Sequence, residues 1–268
     1  MRYGLFLPPF GGLAEPSALV AVAGAAERAG WDGVFLWDHV MYRPPADEVA
    51  DPWIALAAIA AATGRIRIGA MVTPLARRRP QIVARQAVTL DRLSGGRLVL
   101  GAGLGLDTSG RELSAFGEEL DDRRRAAMLD EALELVTALC SGERVMHRGA
   151  HYTADDVRFL PAALQSPRIP VWIAGRYPNR PPMRRAARWD GMFVIDMDEP
   201  AQMADLAARI AGLRGGTGGF DLVVARPPAE DPAPWAAAGA TWWLTEIDQF
   251  TVTADAAMAL AEAGPPRG

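Results

Sequence analysis

The chain has 268 residues, 50% of them hydrophobic and 22% charged, with 28 basic against 32 acidic side chains and a formal net charge of −4. That composition supports a sizeable packed core, excludes a disordered polymer, and leaves no electrostatic footprint for a nucleic-acid partner. The single cysteine, Cys140, excludes an intrachain disulfide and a thiolate metal cluster.

The N-terminal apolar run breaks at Pro8-Pro9 with no small-residue cleavage site behind it, which argues against a signal peptide. The uncharged stretch 54–62 is far too short to span a bilayer, so a soluble cytoplasmic protein without a membrane partner is expected. Short apolar runs then alternate with alanine-rich helical patterns. Strands are expected at 3–7, 33–37, 66–72, 97–101, 171–174, 191–195, 221–225 and 241–244. Most are continuous apolar runs, as in a parallel sheet buried on both faces. Helices are expected at 16–29, 52–63, 80–92, 121–141, 181–188, 200–213, 232–239 and 252–263. Pro16, Pro52, Pro80 and Pro200 stand at or near the first turn of four of them, where the missing N–H removes no helical hydrogen bond.

Eight β-then-α units over this length fit an α/β fold, a single (β/α)8 TIM barrel spanning residues 1–268. An open doubly wound sheet is the alternative, because a strand count does not prove closure. Segments 103–120 and 142–168 break the rhythm and are expected as short insertions at the C-terminal mouth.

A barrel carries its chemistry on the loops that follow its strands. His39, in WDHV directly after the second strand, is the leading candidate for proton transfer, weighed against a histidine that merely caps a strand end. Asp38 beside it can bond a polar cofactor edge or orient backbone. His147 and His151 stand four apart, but Gly149 interrupts them and no carboxylate set accompanies them. That segment reads as a hairpin, and no metal site is expected. Gly103-Leu104-Gly105 suits backbone passing close to a flat group, or a tight turn with no ligand. Arg77-Arg78-Arg79, and Arg176, Arg180, Arg184 and Arg185 around the fifth helix, read as anion-binding clusters or as solvated faces. Cys140 and Trp172, Trp189, Trp242 and Trp243 read as core.

The order GLFLPP, AERAGWDGVFLWDHV, DPWIALAAIAAATGRIRIGAMVTPLARRRPQIVARQAVTLDRLSGGRLVLGAGLG and VWIAGRYPNRPPMRRAARWDGMF resembles the bacterial-luciferase-like superfamily. The match runs from Tyr3 to Phe193; beyond it only AGATWWL is similar. The resemblance implies a luciferase-like barrel using coenzyme F-420, slightly preferred, or FMN, to transfer hydride to or from a small organic substrate or to oxygenate it. It implies His39 near the reactive ring centre, with Asp38 at the same strand end. It implies a cis Met71–Val72 peptide against one ring face, Thr73 at the pyrimidine edge, and Gly103, Leu104 and Gly105 beside the ring or ribityl chain. Gly175, Arg176 and Tyr177 would grip the phosphate. Leu106, followed by Asp107, stands where deazaflavin-dependent sugar-phosphate dehydrogenases carry a proton-donating glutamate, so that specific chemistry is not expected. Arg77–Arg79 could contact the polyglutamyl tail of the deazaflavin. A homodimer is expected from the alanine- and leucine-rich helices 52–63 and 80–92, and a flavin reductase partner if FMN is used. A flavin-binding protein with little catalysis is the alternative; a metal-dependent hydrolase lacks its ligands.

Overall fold

The computed structural model of the chain describes residues 1–108 and 110–266. Nine parallel strands form the main sheet: β1 (Arg2–Leu7), β2 (Gly33–Leu36), β3 (Arg67–Ala70), β4 (Thr73–Pro74), β5 (Leu100–Gly103), β8 (Val171–Arg176), β9 (Gly191–Ile195), β10 (Asp221–Arg226) and β11 (Trp242–Glu246). Two more, β6 (Arg144–Arg148) and β7 (Thr153–Arg158), make a separate antiparallel hairpin. The main order is β3-β2-β1-β11-β10-β9-β8-β5-β4. β3 and β4 are two pieces of the expected third strand, divided at a cis Met71–Val72 peptide. Ile68 O accepts from Val99 N at 2.9 Å and Ile68 N donates to Arg97 O at 3.2 Å, joining β3 to the run into β5. The sheet therefore closes as a (β/α)8 barrel, and the open alternative is excluded.

The continuous apolar strands are explained by two separate burials. Side chains of one parity, including Phe35, Val99, Trp172, Phe193, Val223 and Trp242, fill the barrel interior. Those of the other, including Leu5, Val34, Ile68, Ile173 and Trp243, pack outward on the helices. The helices are α1 (Pro16–Ala29), α2 (Pro52–Ala62), α3 (Pro80–Leu93), α4 (Asp122–Cys140), α5 (Arg180–Ala186), α6 (Pro200–Arg214), α7 (Ala233–Ala237) and α8 (Ala254–Ala263). Side-chain caps begin several: Asp51 accepts from Ile54 N at 2.9 Å and Asp121 from Arg124 N at 2.8 Å. The four singled-out tryptophans are all buried, and burial pushes the Cys140 thiol up to about 12, as a packing role requires.

The segment 142–168 does not cover the mouth, contrary to the expectation. Its β6–β7 hairpin lies outside the barrel against the middle of α4, and the chain beyond it follows α3. Arg85 donates to Leu160 O at 2.9 Å, and Asp91 accepts from Leu164 N at 2.7 Å. Gln165 donates to Leu98 O at 2.7 Å, below the start of β5. The hairpin had the right form, but its direction depends on one partner far off in sequence. Glu131 of α4 pairs with His147 at 3.0 Å and accepts from His151 N at 2.9 Å and Tyr152 N at 2.8 Å. Burial pushes the Glu131 carboxyl up, but the His147 bond and the two backbone amides outweigh it and hold it below the ordinary 4.5.

Glu131→Ala is therefore expected to release the hairpin tip at a cost of about 1–2 kcal/mol, a fall in Tm of about 2–8 °C. The His151 and Tyr152 amides should lose protection in hydrogen exchange. Because the folded carboxyl is held low, the wild-type advantage is present above the unfolded value of about 4.5 and is lost as pH falls through the folded value. A Tm difference that persists unchanged in strong acid would contradict this account.

Candidate active site

The C-terminal ends of the barrel strands surround one cavity of about 850 Å³. Asp38, His39, Met71, Val72, Gly103, Leu104, Gly105, Gly175 and Arg176 all line it, so nine of the eleven residues singled out from sequence converge on one mouth. Thr73 and Tyr177 do not line it. Thr73 is fully buried, its hydroxyl without a hydrogen-bond partner, and the Tyr177 hydroxyl turns away to donate to Asp205 of α6 at 2.9 Å.

His39 is held on several sides. Its ring meets Tyr42 at 5.0 Å between centroids and Phe10 at 5.7 Å. Its Nδ1 lies 2.9 Å from Glu112 Oε1. With the Nδ1 proton directed at that carboxylate, Nε2 of the neutral ring remains an acceptor. Glu112 was not picked out from sequence. It sits in the 103–120 loop, 73 residues from its histidine, and nothing local distinguishes it from a surface glutamate. The loop fold delivers it: Asp107 accepts from Leu113 N at 2.8 Å and Ser114 N at 2.9 Å, while Val40 N donates to Glu112 Oε2 at 3.1 Å. Burial pushes the Glu112 carboxyl up, but the hydrogen bond and charge of His39, then Arg77 and the Val40 amide, hold it below the ordinary range.

Arg77 and Arg78 are placed differently from the expectation that they reach a cofactor tail. Arg77 lies 2.5 Å from Glu112 Oε2 and 2.8 Å from Asp38 Oδ1, with its side chain 5% exposed. Arg78 donates to both Asp38 oxygens at 2.8 and 2.9 Å, and Trp53 Nε1 donates to Asp38 Oδ2 at 3.2 Å. The Asp38 carboxylate is thus spent within the protein. Arg77, Arg78, Asp38 and Glu112 form a buried ionic scaffold next to His39, two charges of each sign, with the Trp53 indole N–H hydrogen-bonded to it. Of the two roles the sequence leaves open for Asp38, cofactor contact or orienting group, the geometry favours the second.

The anion reading of the fifth helix changes too. Pro178, Pro181 and Pro182 carry no N–H, while the Tyr177 and Asn179 amides donate to Ile195 O at 3.1 Å and Arg176 O at 2.9 Å. A seven-residue helix beginning with two prolines within its first three positions is no amide cradle. Cationic side chains remain. Arg123, Arg125, Arg176 and Arg185 line the β5–β8 arc of the cavity, where Glu112 and Asp122 are the acidic lining residues; Arg125 pairs with Asp122, Arg176 with Asp196 and Arg185 with Asp130. Arg125 donates to Leu104 O at 3.3 Å and Gly105 O at 3.1 Å, and so fixes the glycine turn. The glycines answer to protein neighbours. A Cβ on Gly103 would lie 2.5 Å from Val72 Cγ2, and Gly105 has φ +75°.

The cavity is within the size range of small-molecule sites. Phe6, Val72, Leu104, Ala174, Phe193 and Ile195 give it apolar walls, the arginine arc offers donors for an anionic group, and the buried Trp37 Nε1 has no partner. This donor set fits a planar, anionic cofactor. Among the described residues no group of three or more His, Cys, Asp or Glu side chains is placed to hold a metal, and no helix is long and apolar enough to cross a membrane.

The family model described as luciferase-like monooxygenase matches residues 1–261. The chain belongs to this family. An F-420-dependent glucose-6-phosphate dehydrogenase of Beutenbergia cavernae is 36% identical over 173 residues, 61% of this chain and 48% of that protein. The chain thus spans about half the length of the curated relative it matches. Among solved structures, the monooxygenase RslO1 from Streptomyces bottropensis superposes with a TM-score of 0.81 at 19% identity, covering 97% of this chain and 96% of that one. An F-420-dependent secondary alcohol dehydrogenase gives 0.80 at 17% identity, covering 97% of both. Both share the luciferase-like barrel fold.

Proposed function

We propose that this protein is an oxidoreductase that binds coenzyme F-420, in preference to FMN, across the barrel mouth and acts on a small organic molecule. The observation that carries the reading is the His39–Glu112–Arg77 chain opening onto the cavity beside Val72 and the Gly103–Gly105 turn. Either cofactor, once bound, supplies the hydride-accepting or hydride-donating ring. Val72, Leu104, Ala174 and Ile195 offer that ring apolar contact and keep water from it. Arg123 of α4 and Arg176 at the end of β8 suit its anionic end, with Asn179 at the start of α5 also in the lining. His39, with Nδ1 bonded to Glu112, presents Nε2 to accept or return a proton. The preference for F-420 rests on this arginine arc, which suits a polyanionic tail, and on the relatives named for that coenzyme.

The protein is further proposed to be cytoplasmic and homodimeric, with exposed Ile54 and Ile82 on neighbouring α2 and α3 supporting the dimer. A separate flavin reductase is required only if FMN is the cofactor. Fluorescence titration of the purified protein tests the central reading. Saturable binding of F-420, tighter than FMN by about tenfold or more, is expected, corresponding to at least about 1.4 kcal/mol. Tighter binding of FMN would turn the assignment toward an oxygenating enzyme, and binding of neither would refute it.

A further inference from the structure

The strand register that fills the barrel interior brings one carboxyl to its mouth that the scaffold next to His39 does not use. Trp242 and Leu244 of β11 point inward, so Glu246, two residues further, faces the same way and lines the cavity. Its carboxyl has no ion pair or side-chain hydrogen bond among the described residues. The nearby Arg226 is engaged elsewhere, with Nε on Glu230 at 2.7 Å and Nη1 on Met197 O at 2.7 Å. By contrast, Asp38, Glu112, Asp122 and Asp196 in the same lining are all paired with arginine.

The surroundings give this carboxyl a direction. The adjoining strand end carries Phe6, paired in register with Glu246, and Phe6 meets Trp37 at 5.4 Å. An aromatic wall therefore runs from Glu246 to His39. Charge is also divided across the mouth. With the Arg176–Asp196 pair cancelling, the β9–β11 arc is left with Asp198 and Glu246 against Arg226, opposite Arg123 of α4, which has no ion pair among the described residues. An anionic cofactor end and a ligand of opposite charge thus have separate places.

We propose that Glu246 selects the substrate: an organic cation, a protonated amine on an apolar body, lying along Phe6 and Trp37 with its ammonium on the Glu246 carboxylate. Carboxylate and aromatic faces together are what recognises an ammonium group. The same arc disfavours a phosphorylated substrate. Burial pushes the Glu246 carboxyl up against the pull of the nearby Arg226, with Asp248 adding to the rise, and a cationic ligand would bring the contact-distance counter-charge that no described side chain supplies. The word substrate rests on the oxidoreductase reading; the ligand class does not.

The test is calorimetric titration of the protein, at low salt, with benzylamine, benzyl alcohol and benzyl phosphate. The wild type should bind benzylamine about tenfold more tightly than the alcohol, with the phosphate weakest. Glu246→Gln should abolish the preference for the amine while leaving the alcohol unchanged, and Glu246→Asp, which retains the charge, should keep part of it. Equal affinities in the wild type, or a preference that survives in Glu246→Gln, would overturn the proposal. The F-420 titration of the same preparations keeps the two readings apart: failure to bind cofactor removes the oxidoreductase and leaves the amine site, and the converse holds.

Discussion

His39→Ala is expected to reduce turnover by about 10²–10⁴-fold while leaving cofactor affinity unchanged, the range typical of losing a positioned proton-transfer group. The affinity should survive because the apolar walls and the arginine arc do not involve the imidazole. Glu112→Gln should reproduce a substantial part of the loss from a distance. The amide cannot supply the negative charge that holds the Nδ1 proton, and Arg77 is left with Asp38 as its only carboxylate partner. Glu112 is thus a positioning residue, and the decisive measurement is the double variant. If the two act through one hydrogen bond, the double substitution costs little more than His39→Ala alone. Losses that multiply would separate Glu112 from the histidine and reduce it to a structural ion pair. Retention of full turnover in His39→Ala would remove the histidine from the chemistry altogether.

The fold was legible because its signals are local. All eight barrel strands and all eight helices lie within a few residues of where apolar runs, proline starts and alanine-rich periods put them, and α1 begins and ends as expected, closing at Gly30 with φ +96°. The apolar run alone gives a continuous third strand over 66–72; the cis Met71–Val72 junction that divides β3 from β4 leaves no mark in composition, and only the family resemblance points to it. The mouth was legible through the barrel rule, which turns a strand end into a ranked position, and through family resemblance at Asp38-His39 and Gly103–Gly105.

What stayed hidden has partners far away in the chain. Arg77 and Arg78 read in the sequence as an anion-binding cluster or a solvated face, and it is Asp38 and Glu112, about 40 residues before and 35 after, that engage them inside the protein. Glu246 carries no local signal; its significance comes from parity within β11 and from having no ion pair among the described residues, and only packing supplies the second. The hairpin at 142–168 had a readable form and an unreadable direction for the same reason.

Arg97 carries the same lesson into stability. It was read only as the first residue of an expected strand, yet all five of its N–H donors are used at the N-terminal rim of the barrel. Nε donates to Ser94 O at 2.6 Å, Nη1 to Thr63 Oγ1 and Ile66 O at 2.9 Å, and Nη2 to Ala60 O at 2.9 Å and Thr63 O at 2.8 Å. Helix α2 ends at Ala62 without a glycine in the left-handed region, so its last carbonyls need donors from outside the helix. Arg97 is that cap, reaching from the β5 side of the barrel. Glu27 completes the joint from below, accepting from Gly64 N and Ile66 N at 3.0 Å and Arg65 N at 2.6 Å. Arg97→Met would leave four buried or half-buried carbonyls short of a donor, at an expected cost of about 3–5 kcal/mol and a fall in Tm of about 6–20 °C. Arg97→Lys should rescue little, because a flexible ammonium cannot span five acceptors arranged for a planar fork. At temperatures where both variants remain folded, turnover should match the wild type, since the joint lies at the opposite end of the barrel from the cavity. Thermal unfolding and kcat measured on the same samples decide the matter: a loss of turnover without loss of Tm would mean that this rim communicates with the mouth, and an unchanged Tm would mean that water replaces the guanidinium at each of its five acceptors.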